Sequence, residues 1–371
     1  DGYSGVQSAF NIPTMLNAQQ YGDLLWQATK NDGKVPSSGI YGSNPNSPTI
    51  PAFLNAANTI PSGDVKWIDE IMRPAAVHSY NLSLSKGDDN SQHAFTLGYF
   101  NQEGIIKHTG FERYSARFNS SFKVKDFLTI AENFTASYSE QVATGTNSSL
   151  GSIVYNALQF PSIVPVYDIN GNFAGNPIND ISNPLGSLTR AKDNIQKRIQ
   201  ALGNVFASAK ISDFTFKTSL GLDFQSFNFR DFSPVYNEIL SQNVKNALTT
   251  SNNFNYQLTI SNTLNYQKQL GQHNLDLLLG QEAIKYYYEG FGASRQNFLY
   301  EDPNFRYLSY GTENQLNTGT ANEWALNSYF GRVNYNFNQK YILSATVRRD
   351  GTSRLANNNW GTFPAVSAGW R

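Results

Sequence analysis

The chain of 371 residues contains no cysteine, which excludes a disulfide framework and a thiolate metal site. Charge is also scarce, because 28 basic and 28 acidic residues make up only 15% of the sequence and cancel to a net charge of zero. This balance gives no electrostatic reason to expect nucleic acid as a partner. No apolar run approaches the roughly 18 residues of a membrane-spanning helix, so that class of membrane protein is excluded.

Motifs for catalysis and cofactor binding are missing as well. The sequence has no HExxH, no nucleophile elbow and no phosphate-binding glycine motif. Residues 168–172 (DINGN) lack the spacing of a calcium loop and are predicted to form a turn, and Asp88 and Asp89 are predicted to lie at a hairpin tip. The histidines are interpreted as ordinary turn or interface residues: His78, His93, His108 and His273. We therefore expect no enzyme activity, no bound metal and no cofactor.

Aromatic residues are abundant at 14%, and residues 253–267 (NFNYQLTISNTLNYQ) show how many of them are arranged. Odd positions of this stretch are polar and uncharged, whereas six even positions are large and apolar: Phe254, Tyr256, Leu258, Ile260, Leu264 and Tyr266. Period two predicts a β-strand with one apolar face. Soluble strands usually have about 5 or 6 residues, and a transmembrane strand needs about 9 to 11. A long soluble strand and a lipid-facing barrel strand both fit this stretch.

The same alternation predicts about twelve strands along the chain, of which 195–210 has the weakest pattern. They lie near residues 1–10, 79–86, 93–100, 112–123, 127–139, 195–210, 214–229, 253–267, 273–290, 323–336, 341–349 and 362–370. Long and short connections alternate between them, with long loops at 11–78, 140–194, 230–252 and 291–322. This order favours an all-β fold, an antiparallel transmembrane β-barrel with short periplasmic turns and long extracellular loops. Residues 16–33 are predicted to form a helix within the first loop.

Strand alternation also divides candidate lumen residues from lipid-facing ones. If Tyr114 and Phe118 face lipid, their neighbours on the same strand face the lumen. The candidates that face the lumen or a plug are Arg113, Arg117, Asn119 and Arg348. These side chains either contact an internal plug or substrate, or simply hydrate a wide pore. Tyr286, Tyr287 and Tyr288 are predicted to belong to an aromatic girdle at the membrane interface, with stacking on sugars as the alternative.

Two stretches resemble the SusC/RagA family of TonB-dependent outer-membrane transporters. They are residues 81–130 (NLSLSKGDDNSQHAFTLGYFNQEGIIKHTGFERYSARFNSSFKVKDFLTI) and 341–370 (YILSATVRRDGTSRLANNNWGTFPAVSAGW). The resemblance extends less sharply to GVQ at 5–7, LNAQQY at 16–21 and KWIDEI at 66–71. It covers most of the chain, although residues 140–320 share only the general sequence pattern of the family.

The resemblance implies a 22-stranded barrel in the bacterial outer membrane, closed by an N-terminal plug. Family members import oligosaccharides or peptides, work with a SusD-like surface lipoprotein and are energised through TonB. The chain is expected to be the N-terminal half of the barrel, about 12 of 22 strands over residues 1–371. The plug, the segment that contacts TonB and the C-terminal strands are expected to lie outside it. A passive channel without a plug, and a barrel enzyme or adhesin, are the alternatives.

Overall fold

The computed structural model describes residues 1–143 and 152–371, and nearly all of its regular structure is antiparallel sheet. The strands are β1 (Gly2–Gln7), β2 (Ala75–Gly87), β3 (Ser91–Glu103), β4 (Gly110–Lys125), β5 (Leu128–Val142), β6 (Gln196–Ile211), β7 (Phe214–Ser233), β8 (Tyr236–Glu238), β9 (Ser241–Asn243), β10 (Ala247–Leu270), β11 (His273–Phe298), β12 (Gly311–Phe337), β13 (Tyr341–Thr352) and β14 (Trp360–Trp370). The helices are α1 (Ala18–Asn31), α2 (Trp67–Ile71), α3 (Ile153–Gln159) and α4 (Pro184–Ala191), with 3-10 turns at Pro303–Phe305 and Leu308–Tyr310. In the part of the chain that the structure describes, no helix has the length and apolarity needed to cross a membrane.

Twelve of the strands form one sheet in which neighbours along the chain are neighbours in space. The short hairpin β8–β9 stands apart, so that β7 pairs directly with β10. Strands β1 and β14 lie at the two edges of the sheet. Because each pair is antiparallel, all short turns lie at one end and all long connections at the other. The predicted fold class, an antiparallel sheet of the transmembrane-barrel type, is confirmed.

Three strands extend well beyond their predicted bounds at the long-loop end. Strand β10 begins at Ala247, β11 continues to Phe298 and β12 begins at Gly311. The predicted long loops 230–252 and 291–322 are therefore wrong in extent, and the actual connections are residues 234–246 and 299–310. The start of β12 (GTENQLNTGTANE) is polar on both faces, so period two is invisible there. Backbone pairing with β11 from Gly311 onward defines the strand instead.

The predicted helix in the first loop is confirmed as α1. Asn17 caps its N-terminus, accepting a hydrogen bond from the amide of Gln20, while the Gln20 side chain accepts one from the amide of Asn17. The helix ends before Gly33, whose φ of 72° suits a residue without a Cβ.

The main hydrophobic core lies in the long connections and not on the sheet. Residues 8–74, 104–109 and 152–195 pack together into one folded unit, which we call the cap. Its buried core comprises Ala18, Trp26, Tyr41, Leu54, Ile60, Trp67, Ile68, Ile71, Ile106, Ile153, Ala157, Phe160, Ile163, Val164, Ala174 and Leu188. The long loops are thus held in a defined shape by their own apolar side chains.

Tyr41 joins helix α1 to the rest of the cap. It is 1% exposed, and its hydroxyl donates a 2.9 Å hydrogen bond to the carbonyl of Ala18. Burial raises the pKa of the Tyr41 hydroxyl to about 12, which keeps it protonated as a donor. We expect Tyr41→Phe to destabilise the cap by about 1 kcal/mol, since it removes one hydrogen bond and keeps the ring. Faster hydrogen exchange in α1 of the full-length protein, relative to the exposed control Tyr3→Phe, would measure this loss; equal exchange would contradict it.

Candidate functional site

The six predicted lipid-facing residues share one face of β10. Residues paired directly across strands point the same way, so Ile260 lies beside Leu220 of β7 and Ala283 of β11 on this face. Leu258, Ile260 and Leu264 remain 38%, 48% and 41% exposed. Among the described residues, the buried clusters lie in the cap and at the long-loop ends of strands. None of the residues 1–143 and 152–371 therefore forms a second protein layer over the middle of this apolar face.

Arg113, Arg117 and Asn119 lie on the opposite, polar face of β4. The Arg117 Nε donates to Asn119 Oδ1 at 3.4 Å, while the Arg113 guanidinium lies 5.9 Å from the centre of the Phe100 ring. On neighbouring strands, Arg117 is paired in register with Thr96 and Thr135. This face is polar and mostly neutral, as the alternation predicts.

Arg348 lies on the same polar face but belongs to a charged network on β11, β12 and β13. Its Nε donates to Asp350 Oδ1 at 2.7 Å, and its Nη2 donates to Ser328 Oγ at 2.9 Å and to Glu282 Oε1 at 3.2 Å. Asp350 is a neighbour of Arg348 on the same strand, but Glu282 is 66 residues away in the chain, so that partner is not predictable from the sequence. The register of three strands is needed to bring them together.

An open groove along the polar face connects the two regions, and we call it the inner-wall groove. It has a volume of ≈600 Å³, with Arg117 at one end and Glu282, the partner of Arg348, at the other. Arg113, Asn119 and Arg348 itself do not line it. Its other lining residues are Asn133, Thr135, Leu202, Gly203, Asn204, Ser219, Gly221, Leu222, Asp223, Gln257, Thr259 and Ser261. Asp223 Oδ1 is buried there without a hydrogen-bond partner among residues 1–143 and 152–371. The groove offers hydrogen bonds to a polar ligand or protein segment.

The three consecutive tyrosines of β11 do not act as one group. Tyr287 lies on the apolar face beside Tyr256, with ring centres 5.5 Å apart. Tyr286 and Tyr288 lie on the polar face, where Tyr286 stacks on Trp324 at 5.4 Å and an interplanar angle of 18°. The girdle interpretation is wrong for Tyr286 and Tyr288, because successive side chains of a strand point to opposite faces.

A buried ion pair fastens the β8–β9 hairpin to the cap. Glu238 is 2% exposed, and its Oε1 accepts a 2.6 Å hydrogen bond from Arg190 Nη1 of α4. Its Oε2 accepts a 2.6 Å bond from the amide of Asn183. The Arg190 guanidinium also lies 3.9 Å from the ring centre of Tyr236. A Cβ on Gly175 would overlap the backbone of Glu238, so glycine allows the hairpin to approach.

Burial raises the pKa of the Glu238 carboxyl, while Arg190 and the Asn183 amide act in the opposite direction. Two specific donors, Arg190 and the amide of Asn183, therefore hold this buried carboxyl group. No motif indicates it, because Glu238 is 48 residues from Arg190.

Asp88 and Asp168 have the turn roles predicted for residues 88–89 and 168–172. Asp88 accepts hydrogen bonds from the amides of Asn90 and Ser91 at a hairpin tip, and Asp168 accepts from the amides of Asn170 and Asn172 in a turn. Among the described ranges, no three His, Asp or Glu side chains cluster as metal ligands would.

Comparison with known proteins gives relatives along most of the chain, although no family model matches. The chain is 29% identical over 320 residues to TonB-dependent receptor P3 of Formosa agariphila, covering 82% of the chain and 31% of that receptor. It is 27% identical over 354 residues to TonB-dependent receptor SusC of Bacteroides thetaiotaomicron, covering 87% of the chain and 33% of that receptor. The chain thus spans about a third of the length of these curated relatives.

The fold is similar to that of the RagAB peptide transporter, with a TM-score of 0.80 at 21% identity. This match covers 99% of the chain and 43% of the solved chain. At such identity the structural likeness establishes the fold alone. Together with the sequence similarities, it confirms the resemblance that residues 81–130 and 341–370 indicated.

Proposed function

We propose, from this similarity to TonB-dependent receptors of the SusC/RagA family, that the chain forms the N-terminal half of a receptor barrel in the bacterial outer membrane. Residues 1–371 would supply about 12 of 22 strands, and the plug and the C-terminal strands would come from other parts of the protein. The complete receptor would import oligosaccharides or peptides with energy supplied through TonB.

The observation that carries this proposal is the uncovered apolar face of a twelve-stranded meander. Tyr256 and Tyr266 bound the apolar stripe of β10 and are ten residues apart, about 33 Å along a strand. With a strand tilt of about 35–45°, this length crosses about 25 Å, the height of the apolar band of an outer-membrane barrel. Five of the six lipid-facing candidates, from Tyr256 to Tyr266, would lie within that band, and Phe254 would lie just beyond it on the cap side.

The polar face would line the lumen, where its arginines have different roles. Arg348 forms ion pairs with Glu282 and Asp350, so it would stabilise the barrel wall. Arg117 forms no ion pair among the described residues and borders the inner-wall groove. With Arg113 and Asn119 nearby, it is positioned to contact the plug or a passing substrate.

The cap would lie outside the cell, at the end where the long connections meet. Its folded core presents a stable surface, and we propose that this surface docks a SusD-like lipoprotein above the lumen. For the cargo, the Tyr286–Trp324 stack on the polar face suits a sugar ring. The structural relative RagAB is a peptide transporter, so both cargo classes belong in the test.

Uptake by cells provides that test. Two strains would be compared: one that lacks the full-length gene, and the same strain complemented with that gene. Both would be offered fluorescent oligosaccharides and peptides, with and without a protonophore that abolishes TonB energisation. We expect uptake of one cargo class to require both the gene and the proton gradient. Gene-dependent uptake that survives the protonophore would favour a passive channel, and unchanged uptake of every cargo after deletion would reject the import function.

A further inference from the structure

The apolar face of β4, β5 and β6 contains a trough. Ala116, Ala136 and Ala201 are paired in register across these three strands, so small side chains form its floor. Larger rings border the row on both sides, with Tyr114 and Tyr138 toward the cap and Phe118 and Phe134 toward the short turns.

The trough widens into an open groove of ≈970 Å³ that continues over Leu82 and Leu97 of β2 and β3. Its lining is mostly apolar, and its volume lies at the upper end of the roughly 300–1,000 Å³ of small-molecule sites. A flexible hydrocarbon chain matches this long and shallow shape.

One carboxylate marks the cap-side edge of the trough. Glu112 Oε1 accepts hydrogen bonds from the hydroxyls of Tyr99 at 2.9 Å and Tyr114 at 2.8 Å. No Lys or Arg of the described residues forms an ion pair with Glu112. Its neighbour Glu140, by contrast, is paired with Lys197 at 3.0 Å. Within the described ranges, the edge thus has one carboxylate that no cation pairs, next to two aromatic rings 5.1 Å apart.

We propose that this trough binds a membrane lipid with an ammonium headgroup, placing an acyl chain over Ala116 and Ala136 and the ammonium beside Glu112. The carboxylate supplies a charge-assisted hydrogen bond, and Tyr99 and Tyr114 add cation–π attraction. Headgroups without a cation gain nothing from Glu112, and anionic ones are repelled. The inference rests on the proposed function, because it requires the apolar face to meet lipid.

Native mass spectrometry of the detergent-purified full-length protein tests the site. The probes are phosphatidylethanolamine and N-acetyl phosphatidylethanolamine with identical acyl chains, which differ in the ammonium charge. We expect about tenfold stronger retention of the amine lipid, since a hydrogen bond to a charged group is worth about that factor. Glu112→Gln should abolish the preference. Glu289→Gln should keep it, because Glu289 also accepts a tyrosine hydroxyl, from Tyr287, but lies on β11 away from the trough.

A second pair of variants tests the trough itself. Ala136→Phe fills the floor and should lower retention of both lipids, whereas Ala345→Phe on the same face of β13 should not. Heat-modifiable migration on gels confirms that each variant is folded.

Equal retention of the two lipids by the unmodified protein, or an equal loss of preference in Glu289→Gln, overturns the proposal. A concentration-dependent dimer that Ala136→Phe abolishes, with no lipid retained, assigns the trough to a second copy and also overturns it. If only the lipid site is wrong, cells still show protonophore-sensitive uptake that depends on the gene. If the import function is wrong, that uptake is absent, so the two failures are distinguishable.

Discussion

Replacing Leu258 with arginine lowers the free energy of unfolding of the full-length protein in lipid vesicles by about 2–4 kcal/mol, the loss measured for a cation placed on the lipid face near the bilayer midplane. Leu258 lies near the middle of the apolar stripe of β10 and is paired with Leu222 of β7. A guanidinium there would have to be taken into hydrocarbon or reach far to the interface. Denaturant titration of the protein refolded into vesicles measures the loss.

The adjacent residue supplies the control for this prediction. Gln257 lines the inner-wall groove and is paired with Asp223, so Gln257→Arg places the same side chain beside a carboxylate on the polar face. We expect a change within about 0.5 kcal/mol, as for ordinary exposed substitutions. Similar losses in both variants would contradict the orientation of the sheet and with it the proposed function.

Glu238→Ala has the second large effect, opening the contact between the β8–β9 hairpin and the cap. Removing one partner of a buried ion pair costs about 3–5 kcal/mol, because the other charge is left unpaired. Here the unpaired charge would be Arg190, and the amide of Asn183 would lose its acceptor as well. We expect rapid proteolysis and faster hydrogen exchange in residues 234–246 and in α4, with the sheet unchanged.

An exposed ion pair near the same hairpin is the matched control. Lys245 and Glu313 are paired at 2.5 Å but are 53% and 43% exposed, so Glu313→Ala should cost less than about 1 kcal/mol. The double variant Arg190→Met/Glu238→Leu should recover much of the stability, since apolar side chains of similar size can replace a buried pair. Equal and small effects of Glu238→Ala and Glu313→Ala would show that the pair does not fasten the hairpin.

The twelve strands of the main sheet were predictable from the sequence because period two is a local property, whereas the short hairpin β8–β9 was missed. Each of the twelve predicted strands overlaps a strand of the sheet, including the weak 195–210, which is β6. That strand has no clean apolar face, but it pairs along its whole length with β5 and β7. Backbone pairing with these two neighbours therefore defines β6, although its own side-chain pattern is weak.

The candidate site was predictable only in part. Alternation placed Arg113, Arg117, Asn119 and Arg348 on the polar face, since it needs only the parity of each residue along a strand. It could not show that Arg348 is also paired with Glu282 of β11, nor that Arg117 lies at one end of a groove. These relations depend on which residues of different strands are paired.

By itself, the sequence of this protein determined the strands, their two faces and the alternation of short turns with long loops, because side-chain parity and turn residues act over a few positions. The tertiary structure alone decided the cap core, the buried ion pair between Glu238 and Arg190 and the trough beside Glu112. Each of these joins residues that are far apart in the chain or on different strands. Their contacts arise from register and burial, which no single stretch of sequence records.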